Sequence, residues 1–313
     1  MSLTRRAALG TLAAGLTTPA LPQARNAYKL EPKPIGPGLW MVEGATDDYS
    51  QQNGGAIVNS ALLEGEAGLI VVDTGPTLGY GAALRAVAET VSGKRIAEVV
   101  VTHHHPDHSL GSKAFADLPI RALPRTRALT AIHGPTYVAN LERVLGDWME
   151  GTEVVPPDSD LDAGRISIAG REFQAMALSG HTEADLVLLD IASGVLIAGD
   201  LVFLNRAPTT PDAHLAQWHQ SLSELQALEA AAILPGHGPL DWTGESIRQT
   251  RAYLDWLEAT IRAAAAEGLD MVEVMDLQLP SGFATLGAQP DEFHRSVIHL
   301  FPEIEREILP RLD

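Results

Sequence analysis

A run of histidines and acids directly behind an apolar segment is the feature that most constrains this chain. Residues 96–102 are rich in β-branched side chains and nearly free of polar ones, which predicts a buried strand. Residues 103–108 follow at once and read HHHPDH. Such strand ends are typical of sites in α/β proteins, because the rigid strand positions a loop whose side chains can converge. The sequence therefore favours an α/β fold with a functional site at this strand end.

The spacing within residues 103–108 favours two metal ions. His103 and His105 are two residues apart, so in an extended segment their side chains point the same way and can bind one ion. Asp107 and His108 are adjacent and point elsewhere, which suits a second ion nearby. We expect His104 to face away from both ions.

Three more candidate ligands stand in the same context, each directly after a predicted strand and beside a glycine: His181, Asp200 and His237. A neighbouring glycine lets the backbone turn sharply and approach an ion closely. The candidate ligands then suffice for two metal ions. Three histidines would bind one ion, and two carboxylates and two histidines would bind the other ion and form the bridge between the two. The chain has no cysteine, so thiolate ligands and disulfides are excluded.

The predicted elements fall into two successive β-then-α halves. The first half contains strands at 39–44, 56–63, 68–73 and 96–102, a helix at 80–91, and a helix-rich segment at 125–150 interrupted at 134–135. The second half contains strands at 165–168, 172–178, 186–189, 195–198 and 232–234, a helix at 214–229, and a mostly helical segment at 245–312. This order predicts two sheets packed face to face with helices outside, an αββα four-layer sandwich. We expect a catalytic domain at 25–243 and a helical extension packed on it at 244–313.

Residues 1–24 have the pattern of an export signal. A basic start with Arg5 and Arg6 precedes a weakly apolar stretch and a zone of small residues and proline. The paired arginines and the mild core indicate a twin-arginine signal, although a disordered tail is the alternative. The apolar stretch is too short to span a bilayer, so we expect a periplasmic protein without a membrane span.

The charge of the chain limits its partners. Its formal net charge is −18 and no cluster of lysine and arginine stands out, which argues against binding to nucleic acid. We expect a small-molecule substrate.

Together these motifs resemble those of the metallo-β-lactamase superfamily of binuclear hydrolases. The resemblance covers roughly residues 38–240 and includes residues 102–111 (THHHPDHSLG) and the pairs at 180–181, 199–200 and 236–237. It implies one zinc ion bound by His103, His105 and His181, a second bound by Asp107, His108 and His237, and a bridge by Asp200. It also implies that Asp73 is not itself a ligand but orients the histidine motif.

Within the superfamily the chain looks closest to the quinoprotein relay system zinc metallohydrolases. The matching segments are 44–46, 53–55, 145–148, 203–211 and 253–257. This likeness implies a periplasmic setting beside enzymes with quinone cofactors, and a quinoprotein or cytochrome as a possible protein partner. It supplies no natural substrate.

The resemblance implies hydrolysis by a water held between two metal ions, which lower its pKa and polarise the scissile bond. Asp107 and Asp200 are the expected catalytic residues, and Asp107 would orient the nucleophile or accept its proton. The bond would belong to an ester, thioester, lactone or amide. Zinc is the expected metal, although iron and manganese also suit these ligands. Asn53 and Arg206 lie in loops that we expect to line the substrate pocket.

Two other functions stay open at this point. Persulfide dioxygenases share the fold and hold a single iron ion, so an oxidative, sulfur-oxidising enzyme is one alternative. A non-catalytic accessory factor for a quinoprotein is the other. The complete set of seven ligands argues against the second, because a purely structural site rarely keeps an open coordination position.

Overall fold

The computed structural model describes residues 27–308, and the predicted signal at 1–24 lies outside them. The first sheet has seven strands in the order of the sequence. They are β1 (Pro32–Gly36), β2 (Leu39–Val42), β3 (Ser60–Glu64), β4 (Leu69–Val72), β5 (Ile96–Val100), β6 (Ile120–Ala122) and β7 (Ser159–Asp160). Strands β1 to β4 are antiparallel, and β4 to β7 are parallel.

The second sheet has five strands in the order β12, β11, β10, β9, β8. They are β8 (Gly164–Ile168), β9 (Arg171–Leu178), β10 (Asp185–Asp190), β11 (Val195–Phe203) and β12 (Ala232–His237). Its pairs are antiparallel except for β11 and β12, which are parallel.

Eight α-helices accompany these sheets within residues 27–308. They are α1 (Leu78–Ser92), α2 (Pro106–Ser109), α3 (Pro124–Leu145), α4 (Leu215–Gln226), α5 (Glu245–Glu267), α6 (Met271–Met275), α7 (Ser281–Ala284) and α8 (Asp291–Ile308). None of the helices in this range is long and apolar enough to cross a membrane.

Three apolar clusters hold the layers together. One lies between the sheets and joins residues such as Leu63 and Ile70 to Phe173 and Leu188. A second packs α1 on the outer face of the first sheet. The third packs α4, α5 and α8 on the outer face of the second sheet. The predicted αββα sandwich is therefore confirmed, since each sheet buries one face on the other sheet and one face under helices.

Some local elements differ from the predictions. Strand β1 was not predicted, because its sequence PKPIG contains two prolines and pairs only along the edge of the sheet. Helix α3 continues through residues 134–135 instead of breaking there. Gly134 is required by packing, since a Cβ at this position would lie 2.6 Å from Val154 Cγ1.

Candidate metal centre

The structure brings all seven predicted ligands together at one end of the two sheets. Residues 103–108 follow β5, His181 follows β9, and His237 is the last residue of β12. Asp200 lies inside β11 at an irregularity in its pairing with β12, and such a bulge re-aims side chains. All seven ligands are buried, and none is more than 8 % exposed.

The first cluster, which we call the three-histidine group, consists of His103, His105 and His181. Their ligand atoms and an oxygen of Asp200 lie within 4.8 Å of one another. Nδ1 of His105 is 2.9 Å from Nε2 of His181. Asp200 Oδ2 lies 3.4 Å from His181 Nε2 and 4.0 Å from His103 Nε2. Four ligand atoms from three separate segments therefore face one small volume.

The second cluster, the Asp/His group, consists of Asp107, His108 and His237, whose ligand atoms also lie within 4.8 Å of one another. Asp107 Oδ2 is 3.3 Å from His237 Nε2 and 3.6 Å from His108 Nε2. Asp200 reaches this group as well, with Oδ1 3.1 Å from His108 Nε2 and Oδ2 3.3 Å from His237 Nε2. A single carboxylate thus contacts both groups.

The polar atoms of the centre fit bound cations. Nε2 of His103, Nε2 of His108 and Oδ1 of Asp200 are buried without a hydrogen-bond partner among the described residues. A buried polar atom that stays unsatisfied costs about 1–3 kcal/mol, and a cation between these atoms would remove that cost. Imidazole nitrogens and carboxylate oxygens suit zinc, and they also accept iron or manganese.

Hydrogen bonds at Nδ1, the nitrogen that does not face the group, fix two rings of the Asp/His group. Nδ1 of His108 lies 2.8 Å from Oδ2 of Asp73, which follows β4. Asp73 also accepts hydrogen bonds from the backbone N–H and the hydroxyl of Thr102 at 2.8 and 2.9 Å. Nδ1 of His237 lies 2.8 Å from the carbonyl oxygen of Ile57. These contacts leave Nε2 of both rings facing the group.

One further carboxylate contacts the three-histidine group, and the sequence analysis missed it. Oδ2 of Asp212 lies 2.9 Å from Nε2 of His105. His104 belongs to neither group, but it is buried, and its Nε2 lies 3.7 Å from the same oxygen. No periodic pattern marks Asp212, because it stands in an irregular loop between β11 and α4.

One glycine shows why small residues flank the ligands. A Cβ on Gly236 would lie 1.8 Å from Oδ1 of Asp200, so a side chain there would displace the shared carboxylate.

The backbone of Asp73 is strained. Its φ is 63°, a conformation that costs energy in a residue other than glycine and that clusters at functional sites.

The two groups differ in their proton affinity. Burial and the neighbouring His108 hold the pKa of His103 well below its ordinary value, and burial lowers the pKa of His181 to about 3. Burial is the largest single influence on His108 and His237 and opposes their protonation, but the neighbouring carboxylates together outweigh it and raise the pKa of each ring. These carboxylates are Asp200, Asp73 and Asp107 for His108, and Asp200 and Asp107 for His237. The pKa of Asp200 is correspondingly low, because His237 and His108 outweigh its burial.

A cavity of about 320 Å³ opens over the centre. Its floor includes Asp107 and Asp200, and Tyr49 donates a hydrogen bond of 2.8 Å to Oδ1 of Asp107. Burial and the Asp107 carboxylate raise the pKa of Tyr49 well above its ordinary value, so the phenol remains a donor. The α3 side of the cavity includes Leu141 and Val144.

The two residues that were predicted to line the pocket, Arg206 and Asn53, differ in their position relative to the cavity. Arg206 lines the cavity and is buried, with Nη2 3.1 Å from Oε1 of Glu292. Asn53 is not among the described residues that line this cavity. Its side chain accepts a hydrogen bond from the N–H of Gly55 and donates one to the carbonyl of Asp48, so it stabilises its own loop.

Comparisons with known proteins agree with this geometry. Residues 53–237 match the family model described as the metallo-beta-lactamase superfamily. A linear primary-alkylsulfatase from a Pseudomonas species is 25% identical in an alignment 288 residues long, which covers 78% of this chain and 54% of that protein. The hydroxyacylglutathione hydrolase of Alkalilimnicola ehrlichii is 31% identical over 168 residues, 53% of this chain and 55% of that protein. The chain thus spans about half the length of these curated relatives.

Solved structures share the fold. A metallo-beta-lactamase from Pontibacter korlensis superposes with a TM-score of 0.59 and 21% identity, over 72% of this chain and 99% of that one. A metallo-beta-lactamase from Hirschia baltica gives 0.57 and 21%, over 72% of this chain and 98% of that one. At this identity the likeness is one of fold. The range that matches the family model, residues 53–237, includes the positions of all seven predicted ligands.

Proposed function

Since the chain belongs to the metallo-beta-lactamase superfamily, we propose that it is a hydrolase with two zinc ions, one in the three-histidine group and one in the Asp/His group. The observation that carries this proposal is the position of Asp200, whose two carboxylate oxygens lie within 4.0 Å of histidine nitrogens from both groups. A carboxylate in this position can hold two cations side by side. His103, His105 and His181 would bind the first ion, and Asp107, His108 and His237 the second.

The two ions, when bound, supply a water of lowered pKa and a positive charge for the oxygen of the scissile group. Asp107 lies on the cavity floor, where its carboxylate can orient the attacking water and accept its proton. Tyr49 holds one oxygen of Asp107 by a hydrogen bond and so fixes the direction of the other. Asp107 is buried and Tyr49 is half-buried, so bulk water has limited access to this proton transfer.

The cavity favours a small substrate with an apolar part. Its volume of about 320 Å³ lies at the lower end of the range for ligand pockets. Leu141 and Val144 offer an apolar wall, while Arg206 and Arg295 lie among the polar residues of the lining. We propose an ester, thioester, lactone or amide as the bond cleaved. The relatives add sulfate esters and hydroxyacyl thioesters to the substrates worth testing.

We propose the periplasm as the site of action, with a quinoprotein or a cytochrome as the protein partner. The paired arginines and the apolar stretch within residues 1–24 support export. Fractionation of cells that express the full chain would test the location, and co-purification from the periplasm would test the partner. Recovery of the uncleaved chain from the cytoplasm alone would contradict export.

Metal analysis of protein purified without added metal tests the proposed centre. We expect about two zinc ions per chain in the wild type and a clear loss in Asp200→Asn, with hydrolysis reduced by more than about 100-fold. Asp255→Asn is the matched control, because Asp255 lies 3.6 Å from the ring of His219 outside the centre. The control should keep both ions.

Two results would contradict the proposal. A single iron ion per chain would favour a sulfur-oxidising enzyme related to the persulfide dioxygenases. No stoichiometric metal under any loading condition would exclude the metal centre. If two zinc ions are found, the cavity justifies a screen of esters, thioesters, lactones and sulfate esters of small size.

A further inference from the structure

We infer that Asp212 is a positioning residue for the metal centre, which fixes His105 so that Nδ1 of that ring faces the three-histidine group. The inference rests on the proposed function, because it assumes that this group binds an ion. Asp212 is not one of the predicted ligands and belongs to none of the motifs named above. It stands in the loop between β11 and α4.

The first step is the orientation of the three rings. His103 and His181 present Nε2 to the group, as their distances to Asp200 show. His105 presents Nδ1 instead, since this atom lies 2.9 Å from Nε2 of His181. The ring of His105 is therefore turned relative to the other two, and its Nε2 points away from the group.

The second step is the need for an acceptor at that outer nitrogen. A neutral imidazole carries one proton, and the hydrogen bond at one nitrogen decides which nitrogen is free to bind a metal. Oδ2 of Asp212 lies 2.9 Å from Nε2 of His105 and accepts its proton. This contact leaves the lone pair on Nδ1, as in the carboxylate–histidine–metal arrangements of other metalloproteins.

The third step compares Asp212 with the partner of His108. Asp73 comes from the end of β4, and its side chain is 3 % exposed. Asp212 comes from a loop, lines the cavity, and has a side chain that is 38 % exposed. The loop that borders the substrate cavity therefore also holds a ligand ring in place.

A second donor near Asp212 supports its role as a shared acceptor, since the hydroxyl of Tyr137 donates a hydrogen bond of 3.5 Å to Oδ2 of Asp212. Nε2 of His104 lies 3.7 Å from the same oxygen, which is too far for a hydrogen bond. The ligand atoms of His104, His105 and Asp212 also lie within 4.8 Å of one another, as in a cation site. A cation there would require His105 to lose both ring protons once Nδ1 binds its own ion, so a hydrogen bond is favoured.

Cobalt(II) titration with chelator competition tests this role, because it reports ion binding without depending on hydrolysis. The variants are Asp212→Ala, which removes the acceptor, and Asp212→Asn, which keeps an oxygen but loses the charge. We expect Asp212→Ala to bind one of the two ions about 10–100-fold more weakly and with an altered absorption spectrum. Asp212→Asn should fall between Asp212→Ala and the wild type, and Asp255→Asn should match the wild type.

Two outcomes would overturn the inference. One is wild-type affinity and an unchanged spectrum in Asp212→Ala. The other is a third ion in the wild type that is missing in Asp212→Ala, which would make Asp212 a ligand. Thermal unfolding of the metal-free variants checks that they fold, and Asp212→Asn replaces Asp212→Ala in the comparison if the latter does not. A wild type that binds fewer than two ions would instead contradict the proposed function.

Discussion

The three-histidine group and the Asp/His group share a carboxylate, yet their electrostatics are opposite. In the first, burial keeps the pKa of His103 and of His181 low, so these rings are neutral and ready to bind a metal. In the second, the carboxylates raise the pKa of His108 and of His237, so these rings keep a proton to higher pH than an ordinary imidazole when no metal is present. An ion that enters the second group must displace these protons.

This difference shows how one centre can treat two identical ions unequally. In the Asp/His group, protonated rings and carboxylates offset one another's charge when no metal is bound. In the three-histidine group, the rings of His103 and His181 are neutral, so a cation that enters there displaces no proton from them. We therefore expect the three-histidine group to fill first at neutral pH.

Removal of one histidine from each group should have the largest effect and tests the comparison directly. We expect His181→Ala to lose the ion of the three-histidine group and His237→Ala to lose the other ion. Each substitution should weaken binding of that ion by more than about 100-fold. The reason is that it removes a direct ligand, whereas loss of a residue that only hydrogen-bonds to a ligand has a smaller effect. Metal analysis and cobalt(II) spectra of the two variants measure the outcome.

The two spectra should differ, since the ion that remains has three histidines in one variant and a mixed set in the other. Identical spectra, or the loss of both ions from both variants, would show that the groups do not act separately. Asp255→Asn again serves as the control, because it removes a carboxylate beside a histidine elsewhere on the chain.

Asp73→Asn should have a smaller effect, confined to the Asp/His group. Asp73 holds Nδ1 of His108 at 2.8 Å, and the amide would keep the shape of this contact without its charge. We expect the ion of the Asp/His group to bind about 10–100-fold more weakly while the other ion is unaffected. Chelator competition on the doubly loaded protein measures both affinities. Equal weakening of both ions would contradict the separation of the groups.

The ends of buried strands made much of the centre predictable. Residues 103–108 follow an apolar run, and glycines precede His181, Asp200 and His237, so local patterns alone indicated ligands at four places. These patterns are readable because strands and tight turns depend on nearby residues. The apolar periods also predicted two sheets and outer helices, which pack as expected.

Contacts between distant loops were not predictable in the same way. Asp212 meets His105 across 107 positions of sequence, and nothing in the local pattern around Asp212 indicates a partner. Asn53 shows a different limit of the sequence, because a loop amide can form hydrogen bonds within its own turn as well as line a pocket. Helix α3 shows a related limit, since a glycine next to a proline indicated a break where packing against Val154 requires the glycine.

The smallest expected effect concerns Asp185, which supports the three-histidine group from the start of β10. It accepts hydrogen bonds of 3.0 and 2.7 Å from the N–H and hydroxyl of Thr182, the residue after His181. Burial raises the pKa of Asp185 from its ordinary 3.8 to about 7. Between these values the folded protein keeps a proton that the unfolded chain has released, so stability falls as the pH rises.

We therefore expect metal-free Asp185→Asn to lose less stability than the wild type as the pH rises from about 4 to about 7. Urea unfolding of both metal-free proteins across this range isolates Asp185, because the other titrating groups are common to both. The affinity for the ion of the three-histidine group should change by less than about tenfold, since Asp185 acts through Thr182 and not on a ligand ring. A pH slope equal to that of the wild type would show that Asp185 is already charged at neutral pH.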